Sequence, residues 1–213
     1  MKTDDLISML ASNAGPVSYR AERDRMLATM VLGTLVAFVM MYFSLGLRPD
    51  LAQALVLPMF WVKLAFPAAL AIVATITLVR LGSPGMQLGK LKLALALPFV
   101  LVWGVALLTL ANASPEVRPA LILGSTWERC ALSIAALAVP TWLAAFWAAK
   151  QSAPTRLRQA GAVAGLFAGA AAATVYAVHC TEMQAPFLAI WYVLGILIPA
   201  VIGWAVGPKL LRW

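Results

Sequence analysis

Charge is what this sequence has least of. Only 11% of its 213 residues are Asp, Glu, Lys or Arg, against roughly 25% in an average soluble domain. A soluble chain of this length has too large a surface for so few charges to cover. That excludes an ordinary cytosolic enzyme, a nucleic-acid-binding domain and a disordered regulator. Histidine occurs once, at His179, so bis-histidine haem ligation is excluded. No long apolar run has a central Asp or Glu, which removes the usual relay of a proton- or sodium-driven pump. Motifs for phosphate binding, zinc proteolysis and a catalytic triad are missing, and the chain reads as no enzyme. Cysteine occurs twice, at Cys130 and Cys180, without Cys-x-x-Cys spacing, which argues against a dedicated thiol oxidoreductase.

What is there is apolar: 63% of the chain, with a mean hydropathy of +0.90. Six continuous runs stand at about 26–46, 57–79, 93–111, 130–149, 160–178 and 187–206, each near the roughly 20 residues a helix needs to cross a bilayer. They are continuous rather than alternating, so no β-barrel is expected. No small-residue cleavage site follows the first run, which predicts a permanent span rather than a removable signal. Basic residues divide unevenly. The head, the second and fourth connections and the tail hold Lys2, Arg20, Arg23, Arg25, Arg80, Lys90, Lys92, Lys150, Arg156, Arg158, Lys209 and Arg212. The other side has Arg48, Lys63, Arg118 and Arg129. The positive-inside rule then puts both termini in the cytoplasm. The expected fold is an all-α membrane protein: a six-transmembrane-helix bundle over 26–213, N-in and C-in, behind a cytoplasmic segment 1–25. The formal charge of +8 is mostly topology, with some attraction to anionic lipid head groups.

Within the runs, Gly161, Gly165 and Gly169 recur every four residues, and Gly203 and Gly207 repeat that spacing. Small residues on one face let helix backbones approach closely. The stripe is expected to pack within the chain, with a homodimer seam as the alternative. Pro67, Pro98, Pro140 and Pro199 read as kinks that membrane helices tolerate. Lys63, just inside the second run, is expected to snorkel to the interface, and Trp61, Trp127, Trp191, Tyr192 and Trp213 to form interfacial belts. A transporter would need a polar path, and the runs offer mainly Thr34, Ser44, Thr75, Thr77, Thr109, Ser133, Thr141 and Thr174.

Cys130 opens the fourth run and Cys180 follows the fifth, so the charge-derived topology puts both at the outer surface, where disulfides persist. The pair reads as a staple or as a redox or metal sensor. In the metal version, His179 with Glu128 or Glu182 completes a mixed site with two thiolates for a transient soft ion. No other cofactor is expected. At the opposite end, Thr3-Asp4-Asp5 begins a short helix at about 3–12, with acids at its positive dipole end. Asn13, Gly15 and Pro16 stop it. Leu6, Ile7, Met9 and Leu10 form an apolar face too short to stand alone in water. With Asp4 and Asp5 rather than Lys and Arg on its polar side, it suits a protein groove better than a lipid surface.

The short Thr3-Asp4-Asp5-Leu6-Ile7 head, Leu45-Gly46-Leu47-Arg48-Pro49-Asp50-Leu51, Trp127-Glu128-Arg129-Cys130, His179-Cys180, Trp191-Tyr192-Val193-Leu194-Gly195-Ile196 and Leu210-Leu211-Arg212-Trp213 together resemble the NrsF family of six-span anti-sigma factors of proteobacteria. The resemblance covers essentially the whole chain. It implies a protein of the bacterial inner membrane that sequesters an extracytoplasmic-function sigma factor and releases it on oxidative or heavy-metal stress. It also implies sensing by two periplasmic cysteines, here Cys130 and Cys180. The sigma contact is assigned on this chain's own residues to Asp4, Asp5, Leu6, Ile7, Met9 and Leu10. A small transporter or a membrane thiol oxidoreductase remain the alternatives.

Overall fold

A run of small residues decides which helix lies at the centre. The computed structural model describes residues 3–13, 19–83 and 88–212. Among them no strand forms, and six helices are long and apolar enough to cross a membrane. A short helix α1 (Thr3–Asn13) precedes α2 (Tyr19–Ser44) and a single turn α3 (Leu51–Ala54). The chain continues through α4 (Pro58–Leu81), α5 (Leu91–Asn112), the short α6 (Arg118–Leu123), α7 (Trp127–Gln151) and α8 (Leu157–Tyr176). The last span starts as α9 (Ala185–Phe187), widens into a π-helical turn at Leu188–Tyr192 and ends as α10 (Val193–Leu210). Each expected run is found, and α2 starts seven residues earlier than the run at 26. Its first turns are therefore continuous with the segment 1–25 rather than separate from it. Gly15, Pro16, Lys2 and Trp213 lie outside the described residues.

Helix α8 is the hub. Its span is 78% buried, against 11% for α5, because α10, α7, α4 and α2 all pack on it. The glycine stripe makes this feasible. A Cβ added at Gly165 would stand 2.7 Å from Ala200 Cα, one at Gly169 2.8 Å from Ile196 Cα, and one at Gly207 2.6 Å from Leu157 O. Backbone therefore lies on backbone along the whole α8–α10 seam, and dispersion between close-packed surfaces replaces the hydrophobic effect that lipid cannot supply. The stripe is consumed inside the chain, so a homodimer seam on this face is overturned. Helix α2 meets α7 in the same way at Gly33, whose carbonyl accepts a bond from the buried Thr141 hydroxyl at 3.1 Å.

Helix α5 sits at the periphery, presenting Leu93, Val100, Leu101, Leu107 and Leu108 outward, as a lipid-facing helix should. The prolines at 67, 98, 140 and 199 lie inside helices that continue through them. Thr34, Ser44, Thr75, Thr77, Thr109 and Thr174 each donate their hydroxyl to the carbonyl four residues earlier in their own helix. Polar groups satisfied this way line no path, which weighs against the transporter.

The α8–α10 seam yields a matched test. Gly165→Ala, which drives a methyl into the α10 backbone, is expected to destabilise the bundle by about 1–3 kcal/mol. Gly104→Ala on α5, where nothing lies within 4 Å, should be neutral or stabilise by up to about 1 kcal/mol. Reversible unfolding in mixed micelles reads both, and equal effects would refute the seam.

Candidate functional site: a buried thiol pair under a lysine

Tyr176, the last residue of α8, leads into the connection 177–184, whose first N–H groups close the helix by donating to Ala173, Val175 and Tyr176 O. Cations meet the carbonyls further along the connection. Lys63, from the first turns of α4, is fully buried and donates Nζ hydrogen bonds to the carbonyls of Cys180 at 2.6 Å and Glu182 at 2.8 Å. Arg48 reaches the Cys180 carbonyl at 3.4 Å, and its backbone N–H donates to Val178 O at 3.3 Å. Positive charge at a helix C-terminus is favoured by the macrodipole, and here two cations share that end.

Arg48 brings its own counter-ion. Its Nε and Nη2 form a two-point fork on Asp50 at 2.8 and 2.7 Å. The guanidinium is buried while the carboxylate reaches solvent. Hydrogen bonding to Arg48 holds the Asp50 carboxyl below its usual value of 3.8, and the same bond raises Arg48. A depressed carboxyl pKa places the pair's contribution above that usual value, and protonation withdraws it only as the pH falls through the lowered one. Gly46, at φ +75°, turns the chain into this loop, and its carbonyl accepts a 2.9 Å bond from His179, whose Nδ1 therefore carries the proton.

Beside these cations lie the thiols. Cys130, in the first turn of α7, and Cys180 are unbonded to each other and buried, at 0% and 3% exposure. They are near enough for one thiol to hydrogen-bond the other. Cys180 is drawn below its ordinary pKa, first by the hydrogen bond from Cys130 and then by the charge of Lys63, with burial opposing both. Tyr176 and Tyr192 complete the wall. The Lys63 ammonium stands 5.4 Å from the centre of the Tyr192 ring, and the buried Tyr192 hydroxyl is turned toward Cys180.

Two expectations are corrected here. Lys63 does not snorkel: it sits on the α4 face that carries Phe66, Leu70, Ala74 and Leu78 into the core, and the carbonyls beyond α8 give its charge a better reason to stay. Tyr192 joins no interfacial belt, because the π-helical turn rotates it inward to 0% exposure. Trp61 is exposed and donates to Leu55 O, and Trp127 packs on Trp191.

The mixed metal set is not assembled. Among the described residues no three of His, Cys, Asp and Glu are grouped to hold an ion. Glu128 is exposed, and His179 is turned to Gly46. The Glu182 carboxylate accepts from the Ser125 N–H at 2.8 Å and hydroxyl at 2.6 Å. That contact pins the α6–α7 connection, where Gly124 at φ +57° leaves no room for a Cβ against Glu182 and Phe187. The structure thus brings Cys130 and Cys180 together and adds Lys63, Arg48 and Tyr192, none of which sequence reasoning had put at the site. In the head, Asp4, Asp5, Leu6, Ile7 and Met9 are all exposed on α1, and the Leu10 side chain lies outside the described residues.

Mild oxidation of the purified, reduced chain is expected to join Cys130 to Cys180 within one molecule. Intact mass should fall by two hydrogens with no covalent dimer on a non-reducing gel. A dimer, or two thiols still free, would contradict the side-by-side geometry.

A family model described as "Negative regulator of sigma F" (NrsF) matches residues 10–213, so the match begins inside α1. The chain is 45% identical over 213 residues to a probable anti-sigma-F factor NrsF from Azospira oryzae (strain ATCC BAA-33 / DSM 13638 / PS). It is 38% identical over 215 residues to the anti-sigma-F factor NrsF of Caulobacter vibrioides (strain NA1000 / CB15N). Both alignments cover 100% of each protein. No solved structure matches.

Proposed function

The chain belongs to the NrsF family, the negative regulators of sigma F, and from that premise we propose that it is a redox-released membrane anchor for an extracytoplasmic-function sigma factor. Both termini face the cytoplasm of a bacterium, as the basic residues favour, and the cysteine end faces the periplasm. The reading rests on one observation: Cys130 and Cys180 lie buried together where α7 begins and α8 ends, while the apolar face of α1 in the head stays exposed.

The head is the sigma-binding element. Leu6, Ile7 and Met9 are 41, 59 and 52% exposed, an apolar face that a groove on the partner would cover in the helix-in-groove mode. A cleft of about 450 Å³ opens by the start of α2, with Arg20, Glu22, Arg23, Ser83, Gln151 and Ser152 as the polar part of its lining and Met26 and Val79 in the apolar part. Its walls come from the start of α2, the end of α4 and the α7–α8 connection, which gives the sigma factor a second place to rest.

The switch is the cysteine pair. A signal moves an equilibrium only by its differential affinity for the two states. Helix α4 has Lys63 at the sensing end, and Ser83 lies just past its other end in that cleft, so a shift of α4 against α8 carries the change across. A disulfide contributes typically about 2–4 kcal/mol, less than the roughly 5.5 kcal/mol needed to go from 1:99 to 99:1. Oxidation by itself therefore shifts occupancy in part, a graded response. The dithiol is the sigma-holding state.

The test is capture from native membranes through a C-terminal tag. A sigma factor should co-purify with the native chain. The Leu6→Asp, Ile7→Asp pair should lower its recovery about tenfold, and peroxide should release it from the native chain but not from the Cys130→Ser, Cys180→Ser variant. Undiminished recovery with the charged head would refute the α1 contact, and peroxide release from the double-serine variant would refute the sensor.

A further inference from the structure

Among the described residues no carboxylate pairs with the buried Lys63 ammonium. Its hydrogen bonds go to two backbone carbonyls, and it stands beside the Tyr192 ring. The acids nearest in the fold are committed elsewhere: Asp50 to Arg48 in a two-point fork, Glu182 to Ser125. Carbonyls and an aromatic face supply dipoles and a quadrupole but no net charge, and a buried cation without an anion is costly. Asp50 is within electrostatic reach but is taken by Arg48, itself a second cation acting on Cys180, which leaves the thiols, Cys180 foremost, to supply the anion. The two cysteines are not equivalent in this respect. Cys180 is the residue whose carbonyl both Lys63 and Arg48 reach, whereas the Cys130 backbone is bound into the first turn of α7.

We propose that Lys63 is a positioning residue that selects Cys180 as the attacking sulfur for a small hydroperoxide, with Cys130 resolving, and that loss of the thiolate charge on disulfide formation releases residues 180–182 from α4. The proposal rests on the sensor reading above and says which sulfur reacts, with what, and why the reaction moves a helix. In the first step the Cys180 thiolate attacks the outer oxygen of the hydroperoxide and the O–O bond breaks. The sulfur is oxidised to a sulfenic acid, and the alkoxide or hydroxide that leaves takes up one proton from solvent. In the second step the Cys130 sulfur attacks the Cys180 sulfur, the S–O bond breaks, and the Cys130 proton departs with the hydroxide as water. The disulfide carries no charge, so the site loses one negative charge while Lys63 remains a cation. With Cys130 at 0% and Cys180 at 3% exposure, only an oxidant a few atoms across reaches the sulfur, which favours hydrogen peroxide over bulky disulfides.

The experiment uses the full chain in detergent, reduced, in a Cys130→Ser background that keeps a hydroxyl donor beside Cys180. Lys63→Met removes the charge at similar length, and Lys63→Arg keeps it. The pH midpoint for alkylation of Cys180 by iodoacetamide should rise by about one unit or more in Lys63→Met and stay near the Lys63 value in Lys63→Arg. At neutral pH, dimedone trapping of the Cys180 sulfenic acid after hydrogen peroxide should slow about tenfold in Lys63→Met alone. Identical midpoints and rates for Lys63→Met and Lys63→Arg would overturn the selection. Should Lys63→Met fail to fold, Cys130→Ser and Cys180→Ser are compared directly with Lys63 in place, and trapping at Cys130 as fast as at Cys180 would overturn it equally. Release is read on the chain with both cysteines, by amine acetylation. Lys63 should be protected in the dithiol and become reactive once the disulfide forms, and protection retained in the disulfide would overturn that half. These chemical readouts involve no sigma factor. They can succeed where capture shows no peroxide release, or fail where it does, so the two failures are distinguishable.

Discussion

Close approach of α8 to its neighbours is the constraint on which everything else in the bundle depends. Apolar side chains gain nothing by leaving lipid for one another, so a membrane bundle coheres through contact at short range and through polar groups that have nowhere else to go. Gly161, Gly165 and Gly169 remove the atoms that would hold α10 away. Ala168 and Ala170 through Ala173 do much the same toward α7, α4 and α2. The cost of a helix with so little side chain on these faces is that it cannot fill space there, and large residues of its neighbours, Ile134 of α7 and Leu70 of α4 among them, fill it instead.

A helix so thoroughly enclosed creates a problem at its end. Past Tyr176 the chain turns away in an irregular connection, and there Lys63 holds the carbonyls of Cys180 and Glu182 while Arg48 reaches that of Cys180. Once two cations are buried there, charge balance becomes the second problem. Asp50 solves it for Arg48, while for Lys63 no carboxylate is provided. The thiol pair lies against that unbalanced cation, so packing, helix termination and thiol chemistry are one arrangement seen at three scales. On the proposed reading such a sensor needs no separate domain, because a change of charge on sulfur would change how well α4 is fastened beyond the end of α8.

The end where α2 begins is built on another logic: its arginines line a cleft shared with the α7–α8 connection, and in the head the apolar face of α1 is uncovered. A surface left open at one end and a chemically loaded interior at the other is the division of labour expected of a membrane regulator, with α4 and α8 as the members that run between them.

Much of this was legible without coordinates. Span number and placement follow from hydropathy, because a backbone in hydrocarbon has almost no choice but a helix. The glycine spacing at 161, 165 and 169 and at 203 and 207 announces a close seam, since only small residues allow one. The pairing of Cys130 with Cys180 was readable as shared depth at one end of the bundle. The fate of Lys63 was not. Helix α4 is apolar on every side, so no periodicity marks which face turns inward, and a lysine near a span's end looks the same whether it reaches for head groups or for a neighbour's carbonyls. Tyr192 was hidden for a related reason: a π-helical turn alters the phase of the residues after it, and nothing in the residue types declares that turn. Likewise His179 and Glu182, adjacent to Cys180 in sequence, bond to Gly46 and Ser125, because chain neighbours in an irregular connection point in different directions. Local chemistry and hydropathy are properties of residues and were present in the sequence. The rotation of each helix about its axis is a property of the packed bundle, and only the tertiary structure decided it.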